Sequence, residues 1–208
     1  SSSHSEYCNA SFTSGSVSIM ALDSDSIEDV CIQVVENIDI EPELRETLDG
    51  MHNYYGGVDE VLENYDRYVG VVLFESSAKV EEIFMDRLGT VTDLLFVGGS
   101  SSAADRGESL VYANNQCYSG TAVLAILKTV NGYDVLKTQS AHILSERKLL
   151  VTKSDLRNRI LYEFDHRPCG EVYAEVLGVP QDEIQDYFVC NPLGVVADSE
   201  IFVRTFNQ

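Results

Sequence analysis

Positive charge is what this 208-residue chain has least of. Its 14 lysines and arginines face 34 aspartates and glutamates, a formal net charge of −20 with a pI near 4.3. A surface of that sign repels a phosphate backbone, so the composition argues against nucleic acid as a partner. Long apolar runs are missing too. No stretch approaches the ~20 apolar residues of a membrane-spanning helix, and the serine-rich start lacks a basic segment followed by an apolar one. The expectation is a cytoplasmic protein that does not engage a membrane. Cysteine pairs are absent as well: Cys8, Cys31, Cys117, Cys169 and Cys190 are odd in number and contain no CxxC. That pattern argues against a disulfide framework and a structural zinc site, and no metal is expected. What remains is ordinary globular usage, 44% hydrophobic and 23% charged, which argues against a disordered or collagen-like chain. The first residue is Ser1 rather than Met, which reads as a trimmed chain or a piece of a longer one.

Charge changes sign along the sequence. Residues 1–127 hold 5 basic and 22 acidic side chains (net −17), residues 128–167 hold 8 and 5 (net +3), and residues 168–208 hold 1 and 7 (net −6). Such a change marks a candidate domain junction. Alternation over 16–22 predicts a strand. The capping-box spacing of Asp25 and Glu28, followed by Ile27, Val30, Cys31, Val34, Val35 and Ile38, predicts an amphipathic helix. Further helices are expected in the acidic stretch 41–66, broken at Gly56-Gly57. The apolar runs 69–74 and 94–97 flank an amphipathic stretch, 77–88, and so predict two parallel neighbouring strands joined by a helix. Strands at 109–113 and 119–127 around Asn114-Asn115 predict an antiparallel hairpin. Strands are also expected at 133–138, 148–153, 159–164 and 201–204, with a helix ending at Gly178 and a helical turn after Pro180. The fold class is therefore α/β: a mixed, layered sheet with helices, containing a parallel strand–helix–strand unit and antiparallel hairpins.

Three segments, in this order and spacing, resemble the FIST family of sensory modules, named for F-box and intracellular signal-transduction proteins. They are Leu94-Leu95-Phe96-Val97-Gly98-Gly99-Ser100; Val151-Thr152-Lys153 with Asn158 to Pro168 and the helix continuing to Gly178; and Asn191-Pro192-Leu193-Gly194 with Val203-Arg204. The resemblance places the later part of a FIST N-terminal domain in residues 1–145 and the beginning of a FIST C-terminal domain in 146–208. It also leads us to expect glycine where this chain has His166, and small residues where it has Cys169-Gly170. What it implies is a bacterial, cytoplasmic signal-transduction module that binds a small molecule such as an amino acid. Its partners would be histidine kinases, chemoreceptors or cyclic-dinucleotide enzymes, and it would not be an enzyme.

Several residues are candidates for contact with a ligand. Gly98-Gly99-Ser100-Ser101, with Ser102, follows a buried strand and offers backbone amides and hydroxyls to a carboxylate or phosphate. The alternative is a glycine-permitted turn; a serine hydrolase is the least favoured reading, because the spacing is not GxSxG. Arg167 is suited to hold a ligand carboxylate and Asp165 its amine, against a helix-capping role for Asp165. Arg204 is a further anion contact or a surface ion pair. His4, His52, His142 and His166 have no metal-ligand spacing. No cofactor is expected; haem, entertained for gas-sensing members of the family, would need one of these in an apolar pocket, and His142 is the best placed. A module that binds only protein partners is the other function class.

Overall fold

The computed structural model describes residues 2–3, 6–8, 11–36, 41–75, 81–102, 109–138, 145–156, 158, 160–197 and 200–204. The chain divides into two compact units, Ser1–Val135 and Leu136–Gln208.

In the first unit, β1 (Glu6–Cys8) and β2 (Ser11–Thr13) form a small antiparallel pair. The principal sheet has four strands. They are β3 (Ile27–Val35), β4 (Tyr68–Phe74), β5 (Phe96–Ser100) and, after the hairpin of β6 (Val111–Ala113) and β7 (Gln116–Tyr118), β8 (Ala122–Thr129). Their order across the sheet is β3-β8-β4-β5. β4 and β5 are parallel, with Gly70 opposite Phe96 and Phe74 opposite Ser100, while β8 runs antiparallel to both β3 and β4. The helices are α1 (Glu41–Tyr54), α2 (Val58–Glu63) and α3 (Glu81–Val91). The strand–helix–strand unit expected from the two apolar runs is thus present, with α3 as its crossover.

Each face of this sheet is covered over β3, β8 and β4, where the pleat assigns side chains alternately to one cover or the other. β5, expected as a buried strand, is instead a largely exposed edge. Cys31, Val35, Val72, Phe74, Leu124 and Ile126 turn to the helices and pack with Leu44, Leu48 and Met51 of α1 and with Phe84 and Leu88 of α3. Phe74 and Phe84 meet edge to face with ring centroids 5.2 Å apart. On the other face Val123 packs with Val111 and Ala113 of the β6–β7 hairpin, and Ile32, Val34 and Leu73 lie against them. Asn114 and Asn115 both have positive φ, 49° and 64°. That is the two-residue turn geometry their sequence predicts, but the strand across it is the short β7, and the expected second arm, 119–127, falls mostly in β8 of the principal sheet.

Further sequence expectations are corrected. The helix expected over 27–38 is strand β3. Five of its nine residues are β-branched, and they serve two covers: Cys31 and Val35 face the helices, Ile32 and Val34 the hairpin. Helical spacing had grouped residues that the pleat separates. The capping box is not formed; the Asp23 carboxylate instead accepts from Ser26 N at 3.1 Å in the turn entering β3. Residues 16–22, expected as a strand, pair with no strand and leave Val17, Ile19 and Met20 almost wholly exposed. Residues 133–138 likewise form no strand. The break at Gly56-Gly57 is where expected, with φ of 104° and 119° that side chains rarely tolerate.

The second unit holds the antiparallel sheet β11-β10-β9, from β9 (Val151–Asp155), β10 (Ile160–Phe164) and β11 (Arg167–Pro168). Helix α4 (Cys169–Leu177) follows, ended by a left-handed Gly178, then a 3-10 turn, Gln181–Tyr187. The ribbon of β12 (Leu193–Ala197) and β13 (Glu200–Arg204) comes last.

Candidate functional site

The candidate glycine–serine segment lies on β5 and just beyond it. Gly98 has a packing role: a Cβ there would overlap the Val72 carbonyl oxygen of β4, so only glycine lets the parallel pair close at this point. Gly99 is open on its Cβ side. Ser100 Oγ donates to Glu81 Oε1, 3.1 Å away at the start of α3. Ser101 alone of these hydroxyl residues is buried.

Ser101 belongs to a polar row that sequence order conceals. One step past the strand ends, where Phe74 stands between Ala122 and Ser100, the next residues across the three strands are Thr121, Glu75 and Ser101. The backbone continues the pairing: Glu75 N donates to Thr121 O at 3.0 Å and Ser101 N to Phe74 O at 2.7 Å. Alternation turns these three side chains away from the Phe74 face, toward the face of Leu73 and Val123. All are buried, with 5%, 1% and 3% of their surface exposed. The wall is completed by Ser109, whose Oγ is 2.5 Å from Ser101 Oγ, and by Gly120, whose N–H donates to Glu75 Oε2 at 3.0 Å. Thr121 Oγ1 has no hydrogen-bond partner. A buried hydroxyl in that condition costs about 1–3 kcal/mol. Ser2 ties the wall together from the N-terminal side: Ser102 N donates to Ser2 O (2.9 Å), Ser2 N to Leu110 O (2.8 Å) and Leu110 N to Ser2 Oγ (2.9 Å).

The row sits at the carboxyl ends of a parallel strand pair, where open α/β sheets bind ligands. Ser101 was legible from the sequence. Glu75 and Thr121 were missed, because nothing short of the strand register brings residues 75, 101 and 121 side by side.

The candidates of the second unit have other tasks. Asp165 and His166 are the central residues of the β10–β11 hairpin, with φ of 49° and 63°. Asp165 caps no helix; α4 starts at Cys169 with Pro168 at its N-cap, and the Asp165 carboxylate accepts from Leu150 N at 3.3 Å. Arg167 Nη1 donates to Glu175 Oε2 at 2.7 Å, and Arg147 holds the other oxygen at 2.9 Å. The hydrogen bond to Glu175 raises the Arg167 pKa, and the two arginines lower that of Glu175. A guanidinium engaged in this way is committed within its own unit. Arg204 Nη1 donates to the neighbouring Val203 carbonyl at 3.3 Å. Asp165, Arg167 and Arg204 lie in the second unit and the glycine–serine segment in the first.

Among the histidines, His4 and His142 lie outside the described residues. His166 is on the hairpin turn. His52 is buried on α1 with no hydrogen-bond partner at either ring nitrogen, and burial lowers its pKa. Among the described residues no group of three histidine, cysteine or acidic side chains is placed to hold a metal ion. No helix among them is long and apolar enough to cross a membrane.

A family model described as the FIST N domain matches residues 1–167 of the chain. No curated protein and no solved structure gives a significant match.

Proposed function

From a chain that belongs to the FIST family and holds an incompletely bonded polar row at the carboxyl ends of a parallel strand pair, we infer a ligand-sensing module of signal transduction that binds a small molecule such as an amino acid. FIST domains are sensory domains of signal transduction; the ligand is our addition. The observation that carries it is the unpartnered Thr121 hydroxyl, buried beside Glu75 and Ser101. Buried polar groups are normally satisfied by protein or by something bound.

The module acts without catalysis, with no resident cofactor, by changing its contacts with a signalling partner: a histidine kinase, a chemoreceptor or a cyclic-dinucleotide enzyme of the cytoplasm. A ligand that fits only one arrangement of the wall around the row shifts the population toward it. A haem ligand would have to line an open pocket, whereas the described histidines sit inside the α1 layer and on a turn.

Thermal unfolding with free amino acids and other small metabolites tests this reading. A true ligand raises stability with concentration, by about 2.7 kcal/mol at 100 times its Kd. No shift with any compound would leave the second reading, a module that binds only proteins. That reading is favoured by the exposed apolar residues Val17, Ile19 and Met20.

A further inference from the structure

We propose that the free edge of β5 pairs antiparallel with β5 of a second copy of this chain, about a two-fold axis at Gly98, and so joins two four-stranded sheets into one. This association does not depend on a bound ligand.

β5 is the last strand in the order β3-β8-β4-β5, and Val97, Gly98, Gly99 and Ser100 are exposed along it. Its bonds to β4 determine which backbone groups face outward. Gly70 N donates to Leu95 O at 2.8 Å, and Ser101 N donates to Phe74 O at 2.7 Å. Backbone groups alternate sides along a strand, so Leu95, Val97, Gly99 and Ser101 bond toward β4, while Phe96, Gly98 and Ser100 present N–H and C=O to the open side. That outward set is symmetric about Gly98. An antiparallel strand of the same sequence therefore meets every outward group: Gly98 faces Gly98, Phe96 faces Ser100 at either end, and each such pair exchanges both of its bonds.

The side chains fit the same register. Between the hydrogen-bonded pairs, Val97 of one copy stands opposite Gly99 of the other. Val97 is 37% exposed and has apolar surface to bury, and a Cβ at Gly99 would meet nothing within 4 Å, so the valine methyls have room there. Phe96 packs inward, its ring over Gly70, and leaves the edge clear.

Charge favours a second copy at this edge. Two chains of −20 repel one another over most of their surface, but residues 94–104 carry no charged side chain. Glu81, which accepts from Ser100 Oγ on the α3 side, is kept from its counterpart because the two Ser100 residues fall at opposite ends of the paired segment. The other edge of the sheet is guarded. β3 has a register shift between Ile27 and Asp29, and the Asp29 carboxylate accepts from Val30 N at 2.8 Å, which occupies one of its backbone donors. Bulges and charged side chains are what keep sheet edges from pairing. β5 runs in unshifted register with β4 and carries neither device.

Five residues make a small interface, so the dimer should form and dissociate with concentration. Sedimentation velocity of the full chain over about 5–500 µM tests this, with amide hydrogen exchange followed residue by residue at both ends of the range. The expected result is a monomer–dimer equilibrium in which exchange slows with concentration at Phe96, Gly98 and Ser100 and stays unchanged at Val97 and Gly99, which are already bonded to β4. Val97→Asp should weaken the dimer by about tenfold or more. Ser100→Pro, which removes an outward donor that β4 does not use, should do the same, and where one of these variants fails to fold the other decides. Val30→Asp on the guarded edge and Ile19→Asp on the exposed segment 16–22 should leave the dimer unchanged. A monomer across the whole range overturns the proposal. So does a dimer that neither β5 variant weakens, or one whose concentration-dependent protection lies elsewhere. A dimer broken by Ile19→Asp would make segment 16–22 the occupant of the edge and overturn the self-pairing.

Discussion

His166 occupies a backbone conformation, φ 63°, that suits glycine, and Asp165 before it is left-handed as well. The family resemblance leads to an expectation of glycine at 166, and the hairpin supplies the physical reason. A two-residue turn needs positive φ at both central positions, and a side chain there costs roughly 1–2 kcal/mol. His166→Gly recovers that cost less the entropy glycine adds to the unfolded chain. The expected net gain is about 0.5–1 kcal/mol in urea unfolding; a loss would mean that the imidazole makes an offsetting contact. His52 carries the opposite kind of liability. It is buried, unpartnered, and its pKa is lowered from 6.5 chiefly by desolvation, with Asp49 opposing. Between that lowered value and 6.5 the unfolded chain binds a proton that the folded chain does not. Stability is therefore complete above about pH 6.5 and declines as the pH falls below it. His52→Leu should make the decline between pH 7.5 and 5.5 shallower; an unchanged slope would assign the acid sensitivity to carboxylates alone.

At the scale of elements, Gly98 and Gly99 look alike in the sequence and differ in the sheet. A methyl group at 98 would collide with the Val72 carbonyl oxygen, while one at 99 meets nothing within 4 Å. Gly98→Ala should push β5 away from β4 at a cost of about 1–3 kcal/mol or more. Gly99→Ala should stay within about 0.5 kcal/mol of the parent, and equal urea midpoints for the two would refute the close approach. The β4–α3–β5 crossover was legible because a strand buried on both faces leaves an unbroken apolar run, as in Val69 to Phe74. The same double burial concealed β3. Its apolar residues serve two different covers, and their spacing imitates a helix until β8 is known to lie beside them. The polar row was half legible for a related reason: Ser101 follows an obvious strand, but Glu75 and Thr121 acquire meaning only from the register that sets Phe74 opposite Ala122.

The whole molecule carries −20, and two opposing electrostatic contributions decide how it responds to salt. On the stabilising side are exposed ion pairs. Glu28 takes Lys128 at 2.9 Å and Arg67 at 2.5 Å, and Glu175 takes Arg147 and Arg167. Exposed pairs of this kind contribute little to stability and fade as ionic strength rises. On the destabilising side is the mutual repulsion of the remaining carboxylates, which is concentrated where 22 acidic and 5 basic side chains share residues 1–127. Folding draws those charges together, and salt relieves them over distances beyond the Debye length of about 8 Å at physiological ionic strength. These ion pairs are local, whereas the repulsion is summed over a whole unit with an excess of 17 acidic charges in residues 1–127, so the second contribution should win. Raising sodium chloride from about 0.02 to 0.3 M should therefore increase the midpoint of thermal unfolding, a range chosen to span that screening. The rise should shrink in a variant with several exposed acids of α1 and α2, such as Glu46, Asp59 and Glu63, changed to glutamine or asparagine. A midpoint that falls with salt would show that the ion pairs outweigh the excess charge.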